Sequence, residues 1–423
     1  MSQIMMDLLY SLTNCMFCFP GSPQLKVNSR SFKMQHLLGE GGFSYVYLVQ
    51  DTSTSQLYAL KKIRCPFGQE SVALALKEVE AYTLFSPHPN IIESVDHSVV
   101  SAKDKSDPGS KTVYILLPYY RRGNLQDAIN ANLVNHSKFP ERRLMVLFLG
   151  VARALKAMHQ YRVKGAPGGP TSQKKAKGVR QEAAEADQDA AKKHKQKRRR
   201  EEQERDQEDV EQEPLMEGEV TMSQEGVGDG ESRAYAHRDI KPGNIMIADD
   251  GKTPILMDLG SLAPSPTPIT SRSLALAVQD TAAEHSTMPY RAPELFDVKT
   301  GSVIDTKVDI WSLGCTLYAC LTGKSPFEAR SEETGGSLSI CVLGGDWRFP
   351  DEGAKRDPKG KNKVPNGTAE SASTEGGISD GVKDVVRRCL KVEPAERPDI
   401  DELIIMVEDL LERLPSDDGR DDL

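Results

Sequence analysis

The sequence has no apolar run near the roughly 18–20 residues that a membrane-spanning helix needs, which excludes a helical span. Its N-terminus has neither a basic start nor a small-residue cleavage site, so no secretory signal is expected. The seven cysteines, at 15, 18, 65, 315, 320, 341 and 389 of 423 residues, form no framework. Such an odd, scattered set fits a reducing compartment. Excess positive charge is missing too: the formal net charge of −8 excludes general nucleic-acid binding, and no nucleic-acid partner is expected. There is no internal repeat. Hydrophobic residues make up 38%, low for a compact protein, so polar segments dilute an ordinary core.

Those segments are easily found. From Lys164 to Ser232 aromatic residues are absent, and Gly, Lys, Glu, Gln and Asp dominate. A chain of this kind cannot offset its ordering entropy by burial and is expected to be disordered. Within it, seven of the nine residues from Lys192 to Arg200 are Lys or Arg, and an acidic block follows. The basic run reads as a solvated tract, or as a targeting or interaction tail, with the acidic block opposing a phosphate backbone. A second polar insertion spans 351–379, and 416–423 reads as a tail.

Between these segments, apolar content is patterned. From Phe32 the text is strand-like: LLGEGGFSYVYLVQD carries a glycine-rich turn and alternating apolar residues, and QLYALKKI is a second strand. Helical spacing runs through Glu70 to Phe85. TVYILLPYY is a buried strand, and ERRLMVLFLGVARALKAMHQ a helix. Further on, VDIWSLGCTLYACLTG reads as a buried helix, and VKDVVRRCL and DELIIMVEDLLERL as terminal helices.

Three stretches carry chemistry. Gly39, Glu40, Gly41, Gly42, Phe43, Ser44 and Val46 have the form of a phosphate-covering turn, where glycine lets backbone amides approach oxygens without a Cβ clash. Glycine turns between strands are common, and Ser44 stands where a third glycine is usual. Ala59 and Lys61 end the next strand, and Glu78 on the following helix is placed to clamp the ammonium. The third stretch, His237-Arg238-Asp239-Ile240-Lys241-Pro242-Gly243-Asn244, is far more specific. Phosphoryl transfer needs a carboxylate to orient the attacking hydroxyl, a cation on the moving phosphate and an oxygen ligand for Mg²⁺. Asp239, Lys241 and Asn244 offer these residue types in one loop and Asp258 a further carboxylate, and it is the resemblance of this pattern to that of protein kinases that implies these roles, Asp258 as a second metal ligand included.

With these motifs, and with Ala292-Pro293-Glu294, Asp309-Ile310-Trp311 and Arg397, the chain resembles a eukaryotic protein kinase over about residues 32–415. The resemblance implies an α+β bilobal protein kinase fold, with a small β-rich N-lobe bearing one main helix and a larger helical C-lobe. Its N-lobe and hinge would occupy 29–120 and its C-lobe 121–415, interrupted by 164–232 and 351–379. It implies ATP and Mg²⁺ as cofactors and proteins as substrates. Lys61, Glu78, Asp239 and Lys241 would be catalytic, and Asn244 and Asp258 would hold metal. Leu117 would limit the adenine pocket, with Pro118, Tyr119 and Tyr120 as hinge. Glu294 would pair with a buried Arg397, Asp309 would be structural, and Thr287 would lie on the substrate side. Lys241 and Thr287 point to the serine/threonine form.

LGEGGFSYVYLV, HPNI, ILLPYYRRGNL, MDLGS and YRAPELF are similar to the Numb-associated kinase family, and most to its myristoylated and palmitoylated branch. That likeness implies a helical piece in the activation segment, here LALAVQDTAAEH, and work on the cytosolic face of Golgi, endosomal or vacuolar membranes. Residue 2 is Ser, so the myristoylation signal is absent. The leader, 1–28, holds Cys15 and Cys18 among apolar residues. Zinc binding lacks a second ligand pair. Packing on the N-lobe and S-palmitoylation both remain, and the resemblance favours palmitoylation as a peripheral membrane anchor. A scaffold that binds partners without chemistry is the alternative to an active enzyme, although it would normally have lost one of the residues named.

Overall fold

Runs of Val, Leu, Ile and Tyr in the first part of the chain pair into one antiparallel sheet in the computed structural model. The structure describes residues 24–41, 44–66, 69–101, 110–162, 233–352 and 377–416. Six strands stand in the order β1-β2-β3-β4-β6-β5. They are β1 (Gln24–Val27), β2 (Arg30–Glu40), β3 (Ser44–Asp51), β4 (Leu57–Cys65), β5 (Asp96–Ser101) and β6 (Lys111–Pro118).

Register assigns the two faces of the sheet separate tasks. Val46 lies opposite Lys61, and Ala59 opposite Leu117, so these four share one face. Val49, Tyr58, Leu60 and Leu116 point the other way and close a core with Val27 and Phe32. A slip of one residue would exchange the faces and bury Lys61 in that core. The leader expected over 1–28 therefore ends sooner. Gln24–Val27 is already a strand, and Val27 is fully buried. A four-residue strand is too short to show alternation, which is why the sequence did not reveal it.

Helix α1 (Gln69–Leu84) packs its stripe of Val72, Ala75, Val79 and Tyr82 inward, and Glu78 falls in the same stripe. A carboxylate carried inside needs a partner. That requirement positions the site.

The larger lobe is mainly helical, with α2 (Leu125–Asn135) and α3 (Glu141–His159) first. Short strands follow: β7 (Ala234–Ala236), β8 (Ile245–Ile247), β9 (Pro254–Leu256), β10 (Ala263–Ser265) and β11 (Thr267–Pro268). Next come α4 (Arg272–His285), β12 (Val303–Ile304), α5 (Lys307–Thr322), α6 (Pro326–Thr334), α7 (Leu338–Gly344), α8 (Asp380–Cys389) and α9 (Ile400–Arg413). Every residue of α5 from Val308 to Cys320 is buried, as its apolar content on all sides requires. Gly314 lets α8 approach: a Cβ there would sit 2.5 Å from Cys389 Cβ.

Two junctions bear on the polar segments. Arg233 N–H donates to Tyr161 O at 2.8 Å, so the chain leaving α3 and the chain entering β7 run side by side. Phe85, Tyr161 and Tyr235 pack edge to face around that junction. The insertion expected at 164–232 lies outside the described residues. The one expected at 351–379 is shorter than its composition suggested. Asp351 and Glu352 form a 3-10 turn and pair with Lys383 and Arg387 on α8, while Ser379 N–H donates to Glu141 at 2.7 Å. These acidic residues are ordered because α8 presents cations to them.

Candidate active site

β7 delivers the loop 237–244, and a single buried carboxylate grips it. Asp309, in the first turn of α5 and fully buried, accepts the backbone N–H groups of His237 and Arg238, each at 2.8 Å. His159 Nε2 lies 2.9 Å from the same carboxylate. The grip is needed because Arg238 has φ +70°, a left-handed backbone that costs a non-glycine residue about 1–3 kcal/mol. Burial pushes the Asp309 pKa upward, but His159 and the loop amides outweigh it and hold the carboxyl below its ordinary range. Ser261 Oγ donates to His237 O at 2.7 Å and closes the loop from the other side.

Asp239 is held by four donors. Its Oδ1 accepts Thr287 N–H at 2.9 Å and Thr287 Oγ1 at 2.8 Å. Its Oδ2 accepts Lys241 Nζ at 2.8 Å and Asn244 Nδ2 at 3.0 Å. Lys241 Nζ also donates to Thr287 Oγ1 at 2.7 Å, so loop and threonine are cross-linked. A carboxylate fixed this way, already accepting from an alcohol, can orient a hydroxyl and take its proton.

Lys61 stands between two carboxylates, with Glu78 Oε1 at 2.7 Å and Asp258 Oδ1 at 3.0 Å. Burial works against the ammonium, yet the two anions push its pKa above the ordinary lysine value. Desolvation likewise opposes the Asp258 carboxylate, but Lys61, and beyond it His237 and Lys241, hold it low. Both groups therefore stay charged across the physiological range. Ser44, Lys61, Glu78, Asp239, Asp258 and Thr287 line one cavity of about 580 Å³.

The other residues named from sequence fall as follows. Gly39 and Glu40 end β2 opposite Val46 and Tyr45, and Gly41 N–H donates to Ser44 O at 2.8 Å across the turn. Gly42 and Phe43 lie outside the described residues, as do Cys15 and Cys18. Leu117 shares the sheet face of Ala59 and Pro118 ends β6, with Tyr119 and Tyr120 leading out of the strand, and none of the four lines the cavity. Pro118 has no amide hydrogen, so Tyr119 and Tyr120 must supply any backbone donor at that strip. Arg397 and Glu294 form a two-pronged pair at 2.7 and 2.8 Å, away from the cavity.

Mg²⁺ suits this donor set. The ion needs oxygen ligands and keeps few from protein, taking the rest from phosphate and water. Asp258 offers a carboxylate and Asn244 an amide oxygen, and among the described residues no cluster of three His, Cys, Asp or Glu could hold a metal unaided.

Some contributors had not been read from the sequence. His159 has no local signal, since its partner Asp309 is distant in the chain. Arg291 caps the C-terminus of α4, donating to Ser286 O at 3.0 Å and to Ser286 Oγ at 2.7 Å. Tyr82 follows Glu78 by one helical turn, a spacing that could have flagged it.

Comparison with known proteins agrees with this geometry. A family model described as protein kinase domain matches residues 32–164 and 230–406. The serine/threonine-protein kinase ENV7 of Saccharomyces cerevisiae is 32% identical over 420 residues, 97% of this chain and 100% of that protein. The serine/threonine-protein kinase ppk13 of Schizosaccharomyces pombe is 32% identical over 382 residues, covering 90% and 91%. The serine/threonine-protein kinase 16 of Mus musculus is 30% identical over 316 residues, covering 75% and 77%.

Proposed function

The chain belongs to the protein kinase family, and from that premise we propose that the cavity between Lys61 and Thr287 is where ATP gives its terminal phosphoryl group to a protein hydroxyl. The enzyme is a serine/threonine protein kinase. In this reading Asp239 orients the acceptor hydroxyl and takes its proton as the bond to phosphorus forms. Lys241 sits beside it, where it can neutralise charge on the transferring group. Lys61, set by Glu78, holds the nucleotide phosphates. Asn244 and Asp258 would hold Mg²⁺, which when bound offsets phosphate charge. The hinge strip 118–120 receives the adenine, with Leu117 limiting its depth. The observation that carries this reading is the set of contacts at Asp239, which join a carboxylate, an ammonium and an alcohol at a cavity that also holds Lys61 and Asp258.

The test is transfer of label from γ-labelled ATP with Mg²⁺ to serine or threonine of a generic protein such as dephosphorylated casein. Binding of ATP without transfer would favour a scaffold instead. The retention of Lys61, Glu78, Asp239, Asn244 and Asp258 speaks against that reading.

A place in the Numb-associated family, in its palmitoylated branch, is supported by the sequence stretches quoted above and by α4, which puts a helix in the segment ahead of Thr287. Among the described residues no helix is long and apolar enough to cross a membrane. We infer peripheral attachment through acylated Cys15 and Cys18, on the cytosolic face of a Golgi, endosomal or vacuolar membrane, with a role in vesicle trafficking. A Cys15→Ser/Cys18→Ser protein should move from the membrane to the soluble fraction. If it fractionates as the parent does, the anchor lies elsewhere.

The family match is interrupted between 164 and 230, and the flanks of that gap meet at Tyr161 and Arg233. Loop closure grows only logarithmically with length, by about 0.6 kcal/mol per doubling. Replacing 165–231 with a short Gly/Ser bridge should therefore leave the melting curve and basal kinase rate near those of the parent. An unfolded product would show that the segment belongs to the lobe.

A further inference from the structure

The cavity continues past the catalytic contacts, and each of its two walls starts from one of them. On α1, Ser71, Leu74, Ala75 and Glu78 share one stripe, so this wall starts beside Lys61 and runs toward the beginning of the helix. On the larger lobe, Thr287, Ser286, His285 and Glu284 lead back from Asp239 into the last turn of α4. Ile63 and Pro66 add to the first wall, and Leu74 is 61% exposed. This end of the cavity is therefore apolar on one side and acidic on the other.

Most charges along the cavity are already matched. Lys61 lies between Glu78 and Asp258, and Lys241 pairs with Asp239. Arg64 is drawn over the ring of Tyr45, at 4.9 Å. Glu284 differs: among the described residues its one ion-pair partner is the adjacent His285, at 3.8 Å, beyond hydrogen-bond reach. Its place is nonetheless fixed. Ser286 N–H closes α4 on Ala282 O at 3.1 Å, and Arg291 donates to Ser286 O at 3.0 Å and to Ser286 Oγ at 2.7 Å. Glu284 precedes Thr287 by three residues, a span of at most about 11 Å.

We propose that the end of α4 is a specificity element, in which Glu284 selects protein acceptors that carry arginine or lysine within about two residues of the serine or threonine, given that an extended peptide advances about 3.5 Å per residue. The proposal takes Asp239 and Thr287 as the acceptor site, and so rests on the function proposed above. A long cationic side chain matches both walls: its methylene stem lies on Leu74, Ile63 and Pro66, and its head meets the Glu284 carboxylate. An acidic neighbour would bring two carboxylates together, and an alanine would leave Leu74 uncovered.

Peptides of alanine and glycine with one central serine or threonine test this on the full-length chain. Arginine, glutamate or alanine is placed in turn at each of the two positions on either side. At the best position arginine should raise kcat/KM about five- to tenfold over alanine, the size of a partly exposed ion pair plus a covered stem, and glutamate should fall below alanine. The gain should shrink as salt is raised. In Glu284→Gln the arginine-to-alanine ratio should fall to within about twofold of unity, and Glu284→Lys should prefer glutamate to arginine. Each ratio is taken within one protein, so a general loss of activity cancels. A full arginine preference retained in Glu284→Gln overturns the proposal. So does a parent that prefers glutamate, which would give this end of the cavity to Arg64. Should neither Glu284 variant fold, Leu74→Ser decides: the arginine advantage should drop about threefold, and an unchanged advantage overturns the proposal. A parent that phosphorylates neither the peptides nor casein removes the underlying reading. A parent that phosphorylates casein but gains nothing from arginine at any position removes this inference alone.

Discussion

The Asp239→Asn protein should transfer phosphate at least about 10²–10⁴-fold more slowly than the parent while still binding ATP, because it loses only the group that handles the acceptor proton. The substitution keeps shape but reverses half of the hydrogen bonding. Asp239 accepts from Thr287 N–H and Oγ1 on one oxygen, and from Lys241 and Asn244 on the other. An amide can accept on one side only, so its NH₂ group must face two donors. The loop will loosen locally, at a cost of about 1–3 kcal/mol in stability. Lys61, Glu78 and Asp258 keep their mutual contacts, so nucleotide affinity should change by no more than a few fold. Nucleotide titration beside a casein phosphorylation assay separates the two effects. Undiminished turnover in Asp239→Asn would end the assignment of Asp239, and loss of ATP binding would mean that the substitution damages more than the acceptor side.

The parts of this site that were legible in the sequence are those whose chemistry fixes residue type and spacing within a short stretch. Asp239, Lys241 and Asn244 sit within one loop because one loop must present all three. The helices were legible for a related reason: burial of one face imposes a period, as in α9, and burial on most or all sides imposes a nearly continuous apolar run, as in α3 and α5. Contacts closed by tertiary packing left little trace. Nothing near His159 announces Asp309, and nothing near Lys61 says that its second carboxylate is 197 residues away. Composition also misled at the edges. Asp351 and Glu352 read as part of a solvated insertion, yet α8 orders them, and β1 was hidden in what read as a leader.

Removing either member of the Glu294–Arg397 pair should destabilise the larger lobe by about 3–5 kcal/mol, the usual cost of leaving a buried charge alone. The structure gives this expectation a specific form. Arg397 is fully buried and all five of its N–H donors are used. Two reach Glu294, at 2.7 and 2.8 Å, and the others reach the carbonyls of Lys391, Val392 and Lys307 at 2.7, 2.9 and 3.0 Å. The guanidinium also lies 5.0 Å over the ring of Trp311. Lysine has three donors and no plane, so Arg397→Lys should lose a large part of the same stability despite keeping the charge. Glu294→Leu combined with Arg397→Met removes both charges at once and should cost less than the sum of the single changes. Denaturant titration of the four proteins checks this. Single variants with the parent's midpoint would show that the pair contributes nothing. The effect should also reach catalysis before it reaches unfolding. Glu294 follows closely on the strip that carries Thr287, and Lys307 stands two residues before Asp309, which holds the loop of Asp239. Releasing Arg397 therefore frees the first turn of α5 and the acceptor strip together, and a folded Arg397 variant should already show a lower maximal rate.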